Sequence, residues 1–316
     1  MTSPAGGIGL DTQGIGVPTG RIGDAPPVLA PRLDQHYARR AARLAQLADG
    51  HPMADYLRMA AALVQAQQDT LDTLPLAEDA SAANADVTPL TPGALLQAPY
   101  WRAALPAILA AFSRLGAAQL DASLPLRQTL AALRDASSDA LAHDAAALLA
   151  GDFEQVDSAR ALFLWAALSL HAVQFAARLP ASAWRAQGDS RQFCPACGGA
   201  PVASVVLGGA QAGLRYLHCG LCETRWHMVR SKCSNCEQGD KLDYWSLDSE
   251  TAPITAESCG NCHSYLKVLY MDRDRSQDPI ADDLATLALD AEVEREGYAR
   301  SSVNPLLLPG RQPDPR

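Results

Sequence analysis

A chain of 316 residues can bury a sizeable core and is long enough for more than one domain. Its formal net charge of -9 argues against general adhesion to nucleic acid or to an anionic membrane surface, though it leaves room for a local basic patch. Abundant Ala and Leu with only 6% aromatic residues favour helices over most of its length.

Residues 1–30 are rich in Gly and Pro without periodicity and are expected to form a flexible tail. They contain no basic region followed by an apolar run, as a secretory signal would. Residues 31–49 place Leu33, Tyr37, Ala41, Leu44 and Leu47 at steps of three and four, which predicts an amphipathic helix ending at Asp49-Gly50. Arg39-Arg40 is a twin arginine with no apolar segment or cleavage site behind it, and is assigned to the polar face of this helix. Pro52 opens a second helix with Tyr56, Leu57, Ala60, Leu63 and Val64 inward, and residues 75–97 are read as a linker.

Pro106 is expected in the first turn of a helix through Ile108, Leu109, Phe112 and Leu115. Leu120, Leu124 and Leu126 lead into Leu130 and Leu133, and Asp135 to Leu149 is a further Ala-rich helix. Val156 to Leu179 is the most apolar segment and should run through the middle of a helical bundle, stopped by Pro180. Its apolar run between Arg160 and Arg178 falls just short of the ~18–20 residues a membrane span needs. It also carries Ser169, His171 and Gln174, so it is read as a buried helix and no membrane span is expected.

From Gln187 the texture changes to Gly, polar and β-branched residues. Val202–Leu207 and Leu214–Leu217 flank a Gly208-Gly209 turn as in a hairpin, and Arg225–Val229 reads as a third strand. Tyr244–Leu247, Ile254–Glu257 and Tyr265–Tyr270 repeat the arrangement. Residues 279–295 return to helix, with Pro279 near its start, and Pro305–Arg316 is expected to be loose. The fold class that follows is a mainly α N-terminal helical domain, two tandem small β rubredoxin-like or zinc-ribbon-like metal units, and a C-terminal helix. The boundaries are a tail at 1–30, a helical domain at 31–186, ribbons at 187–230 and 231–275, and a C-terminal helix and tail at 276–316.

All eight cysteines lie in four C-x-x-C pairs: Cys194/Cys197, Cys219/Cys222, Cys233/Cys236 and Cys259/Cys262. Cys194 to Cys233 and Cys197 to Cys236 are steps of 39, and Cys219 to Cys259 and Cys222 to Cys262 are steps of 40, so the stretch is an internal repeat. Two tetrahedral four-cysteine sites use every thiol and leave none over. Four thiolates around a divalent ion carry a formal charge of -2, which backbone N–H groups and nearby cations must offset. Gly198, Gly220 and Gly260, with Asn235 in the third pair, are assigned to tight positive-φ turns, and Arg225, Arg230 and Lys232 are the cations closest in sequence. All-sulfur tetrahedral sites suit zinc and iron alike. Closure by four thiolates leaves no position for a substrate, which argues against a hydrolytic metal. Thiol–disulfide exchange is the rival chemistry, but a redox C-x-x-C opens a helix in a βαβ setting, and these pairs border strands.

His218 and His263 adjoin ligand cysteines and are expected to sit behind the ligands or at the surface, His227 to pack or meet a partner beside Trp226, and His171 to be a satisfied core histidine. The chain holds no G-x-S-x-G, phosphate loop or dinucleotide fingerprint, and no recognisable pair of catalytic carboxylates, so no enzymatic activity is expected.

The segments FCPACGGAP, HCGLCETRW, VRSKCSNCE and ESCGNCHSYLK, in that order, resemble the formate dehydrogenase accessory protein FdhE family. HPMADYLRMAAALVQAQ at 51–67 resembles that family's N-terminal helical region, and the likeness spans about residues 35–300. The resemblance implies a cytoplasmic maturation factor that contacts the molybdenum-containing catalytic subunit of respiratory formate dehydrogenase before its twin-arginine export. It implies two metal ions, iron ahead of zinc, held by Cys194, Cys197, Cys219 and Cys222 and by Cys233, Cys236, Cys259 and Cys262. Two alternatives stand beside it: a redox protein using iron–tetrathiolate centres, and a nucleic-acid-binding zinc ribbon. Residues 191–275 carry nine Lys and Arg against nine Asp and Glu, so the ribbons are neutral and no nucleic-acid partner is expected. The groove between helices and ribbons is the expected partner surface, with Arg225, Trp226 and Arg230 either presenting charge and aromatic surface there or packing behind the metal sites. Homo-oligomerisation stays open, because an Ala-Leu stripe can meet the chain's own core or a second copy.

Overall fold

The structure is a computed structural model that describes residues 25–77, 89–119, 124–180, 183 and 192–311. Most of the expected tail, the middle of the 75–97 linker, Leu120, the start of the first ribbon at 187–191 and the last five residues lie outside these.

The N-terminal half is helical. Its helices are α1 (His36–Leu47), α2 (Ala54–Thr73), α3 (Pro92–Gln97), α4 (Tyr100–Gln119), α5 (Leu124–Asp135), α6 (Ser138–Ala150) and α7 (Ser158–Ala177). Capping sets several starts: Thr91, Ser137 and Asp157 accept the backbone N–H groups of Ala94, Ala140 and Arg160 at 3.1, 3.2 and 3.0 Å. Helix α7 packs against α2, α4, α5 and α6, and Phe163 meets Phe112 of α4 edge to face at 5.1 Å between ring centres. It is long and apolar enough to cross a membrane, yet 78% of its most apolar window is buried inside the protein.

Several expectations are corrected here. Pro106 lies inside α4, which begins at Tyr100. The linker contains α3, whose Thr91-Pro92 start combines an N-cap with a proline at the first helical position. Arg40 is not on a polar face: it is 3% exposed, because the ribbon region covers that side of α1.

The C-terminal half is built on one sheet. Its strands are β1 (Val28–Leu29), β2 (Pro201–Val206), β3 (Arg215–Cys219), β4 (Arg225–His227), β5 (Leu242–Trp245), β6 (Ile254–Cys259), β7 (Ser264–Tyr270) and β8 (Ala299–Arg300). The order is β1-β4-β3-β2-β7-β6-β5, with β8 also paired to β7. Each repeat contributes an antiparallel hairpin between its two cysteine pairs, β2–β3 and β5–β6, followed by a third antiparallel strand. The two repeats fuse where β2 and β7 run parallel, Ser204 opposite Val268 and Val206 opposite Tyr270. Every residue of β2 and β7 is buried, as a parallel junction with both faces covered requires.

The C-terminal segment breaks into α8 (Ala281–Leu284) and α9 (Leu287–Arg295) in place of one helix from Pro279. Residues 305–311 are not loose: Leu306 and Leu308 are 6% and 5% exposed, and the Tyr56 hydroxyl donates to the Leu306 carbonyl at 2.5 Å. Val28–Leu29, expected in the flexible tail, pairs with Arg225 and Trp226 of β4.

Candidate metal centres

Each repeat gathers its four cysteines at one end of its hairpin. Cys194, Cys197, Cys219 and Cys222 form one group and Cys233, Cys236, Cys259 and Cys262 the other, with the four sulfurs of each within 4.8 Å of one another. Across the first group, Cys194 Sγ lies 3.4 Å from Cys222 Sγ and Cys197 Sγ 3.5 Å from Cys219 Sγ. In the second, Cys233 to Cys262 is 3.7 Å and Cys236 to Cys259 is 3.6 Å. All eight thiols are free. A tetrahedron with metal–sulfur bonds of about 2.3 Å has edges of about 3.8 Å, so the donor sets fit one ion each.

Three of the four turns close with the same backbone hydrogen bond, and all four share one backbone conformation after the second cysteine. The amide four residues after the first cysteine donates back to that cysteine's carbonyl: Gly198 to Cys194 at 2.8 Å, Glu237 to Cys233 at 3.0 Å and His263 to Cys259 at 2.8 Å. The residue after the second cysteine is left-handed each time: Gly198 at φ 73°, Glu223 at 56°, Glu237 at 61° and His263 at 53°. Gly198 fills that position as expected, whereas Gly220, Asn235 and Gly260 do not. In those three turns the left-handed residue comes two or three positions later, just after the closing cysteine. Gly199 has a different reason to lack a side chain: a Cβ there would stand 3.3 Å from Cys197 Sγ and 3.5 Å from Cys219 Sγ.

Donors converge on the sulfurs. Backbone N–H groups of Leu221 and Cys222 reach Cys219 Sγ at 3.3 and 3.4 Å, Ala196 reaches Cys194 Sγ at 3.4 Å, and Asn235 reaches Cys233 Sγ at 3.3 Å. The Cys222 thiol donates to Thr224 Oγ1 at 3.3 Å, and Ser264 Oγ lies 3.0 Å from Cys262 Sγ. These hydroxyls were missed from sequence, although both sit two residues beyond the closing cysteine of their turn. Two of the three expected cations serve elsewhere: Arg225 donates to His218 Nδ1 at 3.1 Å, and Arg230 stands over the Tyr270 ring.

Burial pushes the Cys194 thiol well up and Cys233 up to about 12. At Cys219 and Cys262 burial is outweighed by hydrogen bonds, from the neighbouring thiols at Cys219 and chiefly from Ser264 at Cys262, holding Cys219 well down and Cys262 at about 6. Four thiols this close do not all ionise unaided; a bound cation is what such a set accommodates.

The two groups differ in access. Every cysteine of the first is buried, whereas Cys236 and Cys262 of the second are partly exposed. The first is roofed by the helices: Trp165 Nε1 donates to the Gly220 carbonyl at 3.1 Å, Ser169 Oγ to the Leu221 carbonyl at 2.8 Å, and the Leu90 amide to the Ala196 carbonyl at 2.8 Å. Beside it lies a cavity of about 380 Å³ lined by Leu148, Phe153, Trp165, Gly198, Leu221 and Leu308.

Glu223, directly after Cys222, is 3% exposed and accepts from Arg40 Nη1 and Nη2 at 2.7 and 2.5 Å and from His36 Nε2 at 2.8 Å. Burial pushes its carboxyl up, but Arg40 and His36 prevail and hold it well below the usual carboxylate range. His218 is buried against this group and His263 is exposed beside Tyr298. His171 is buried with Nδ1 unpartnered, so it is not the satisfied core histidine that was expected. Trp226 is fully buried, so it takes the packing role and presents no aromatic surface to a partner.

Three family models match in succession: FdhE N-terminal over residues 25–189, FdhE central domain over 193–230 and FdhE C-terminal domain over 231–307. The chain is 50% identical over 297 residues to the "Protein FdhE homolog" of Edwardsiella ictaluri (strain 93-146), spanning 92% of this chain and 94% of that protein. It is 48% identical over 290 residues to "Protein FdhE" of Escherichia coli (strain K12), spanning 90% and 92%. It also superposes on the crystal structure of the FdhE protein from Pseudomonas aeruginosa with a TM-score of 0.81 and 39% identity, covering 90% of this chain and 100% of that one. With its cysteine motifs, its architecture and its full-length relatives in agreement, the chain belongs to the FdhE family.

Proposed function

We infer that the chain is a non-enzymatic accessory factor for the maturation of respiratory formate dehydrogenase, acting in the cytoplasm and binding the dehydrogenase's catalytic subunit before export. Family membership supports the link to formate dehydrogenase. The observation that carries the non-catalytic reading is the convergence of all eight cysteines into two closed four-sulfur cages. Cys194, Cys197, Cys219 and Cys222 would hold one ion and Cys233, Cys236, Cys259 and Cys262 the other. Zinc would be redox-silent there, and iron, which the family resemblance favours, would add a one-electron couple. The remaining work belongs to the chain: the turns aim backbone N–H donors at the sulfurs, and the helices cover the first site.

In this reading residues 31–186 form the helical domain, 187–230 and 231–275 the two ribbons, and 276–316 the C-terminal element. The junction of helices and ribbons is the proposed partner surface. A pull-down from formate-respiring cells is expected to recover the catalytic subunit, and deletion of the gene to abolish formate dehydrogenase activity. Intact activity after deletion, with no second copy of the gene, overturns the proposal. Redox action by iron at the second site is the second reading, favoured by the exposure of Cys236 and Cys262. A visible thiolate-to-iron band that cycles with reductant supports it, and a colourless, zinc-filled protein purified without oxygen counts against it.

A further inference from the structure

A recess of about 490 Å³ lies between α1, the Glu223 turn and residues 275–279. Five arginines line it: Arg39, Arg40, Arg43, Arg225 and Arg275. Its own carboxylates are Glu223 and Asp278, and Asp274 and Asp282 stand close behind. Those four acids are divided between two of the five arginines. Arg40 takes Glu223 and Asp278, with its Nε 2.8 Å from Asp278 Oδ1, and Arg43 takes Asp274 and Asp282 at 3.1 and 2.6 Å.

Among the described residues the other three guanidiniums form no ion pair with these four acids, although Asp278 and Glu223 act on Arg225 at longer range. Arg225 is half-buried on the recess wall and donates only to a neutral acceptor, His218 Nδ1, among the described residues. Because Nδ1 accepts, the proton of a neutral His218 sits on Nε2. That atom is buried with no hydrogen-bond partner, 3.7 Å from the nearest Glu223 oxygen. Arg275 has no carboxylate within ion-pair distance among the described residues, and Arg39 has only exposed Asp34 at 3.8 Å. In a chain of net charge -9, the five guanidiniums around this recess outnumber the four carboxylates in and behind it. Guanidinium forks match the oxygen geometry of phosphate, and two or more around one recess suit a multiply charged group better than a single carboxylate.

We propose that this recess is a binding site for a phosphate-bearing small molecule, with Arg225 on its wall and Arg39 and Arg275 at its rim. The site borders the first cysteine cage through the Glu223 turn but uses none of its sulfurs, and although it lies at the helix–ribbon junction it does not depend on the partner reading above. Arg39 and Arg275 are exposed, so replacing them leaves the core intact.

The test is calorimetric titration of the full-length, metal-loaded chain with inorganic pyrophosphate at low ionic strength, with citrate as the polycarboxylate probe. Pyrophosphate is expected to bind one per chain and more tightly than citrate. Arg39→Ala combined with Arg275→Ala is expected to weaken binding tenfold or more with metal content unchanged. Arg127→Ala, exposed on α5, is expected to leave it within twofold. Absence of saturable pyrophosphate binding overturns the proposal. An equal loss in Arg127→Ala reduces it to general charge attraction and also overturns it. Tighter binding of citrate overturns the assignment to phosphate.

Discussion

Arg40 of α1 and Glu223 of the second cysteine turn are 183 residues apart and meet in a two-pronged ion pair of 2.7 and 2.5 Å, both buried. Glu223 also holds the left-handed position that closes its turn, so one residue shapes a metal knuckle and ties it to the helical half. Removing one partner of a buried pair strands the other charge. Glu223→Gln is therefore expected to cost on the order of 3 kcal/mol in urea unfolding, and Arg40→Met a similar amount. The double variant should cost clearly less than the sum of the two. Strict additivity would show that the two side chains act independently.

The unequal burial of the two cages predicts two rates of metal loss. Cys236 and Cys262 are partly exposed, whereas all four ligands of the first site are covered by Trp165, Ser169 and their neighbours. Under a chelator with a colorimetric metal indicator, one equivalent is expected to leave at least tenfold faster than the other. Cys236→Ser should abolish the fast phase. Loss of both ions in one phase would contradict the account.

His171 gives a pH dependence with a definite sign. Burial pushes its folded value down from 6.5 to about 4. Between those values the unfolded chain binds the proton and the folded one does not. Its contribution is thus complete above pH 6.5 and is lost as pH falls toward about 4, on the order of 3 kcal/mol in all. His171→Leu should flatten the stability profile over that window relative to the parent, measured as the difference between their urea midpoints. Parallel profiles would contradict it.

A second buried charge cluster braces the back of β7. Lys267, 1% exposed, pairs with Asp290 at 2.5 Å and lies 3.5 Å from Asp283, and Arg300 completes the set. Lys267→Met should cost about 3–5 kcal/mol, because it leaves two buried carboxylates to one arginine. Tyr265→Phe, which removes a hydroxyl that donates to Asp290 at 2.9 Å, should cost about 1 kcal/mol. Equal effects of the two on thermal unfolding would refute the ranking.

Local chemistry was legible in the sequence. The 39- and 40-residue steps between cysteines identified two cages, and the Gly208-Gly209 turn, the β-branched texture and the repeat placed Val202–Leu207 and Tyr265–Tyr270 within a residue or two of the observed strand ends. What was not legible depends on contacts distant in sequence. The parallel seam of β2 and β7 joins segments 64 residues apart (268 − 204), and nothing in either strand names its partner. Arg40 reads as a surface residue until the ribbon covers it, and two-residue strands such as Val28–Leu29 carry no periodicity. The left-handed residue after each closing cysteine escaped notice because glycine fills it only once, at Gly198.

The most direct test of the account is elemental analysis of the full chain purified without oxygen, combined with a count of alkylatable thiols after denaturation. Two metal ions and eight free thiols per chain are expected, with one ion retained in Cys219→Ser and one in Cys259→Ser. Fewer than two ions in the parent protein, or cysteines joined as disulfides, would contradict the reading of the two clusters as four-thiolate metal sites.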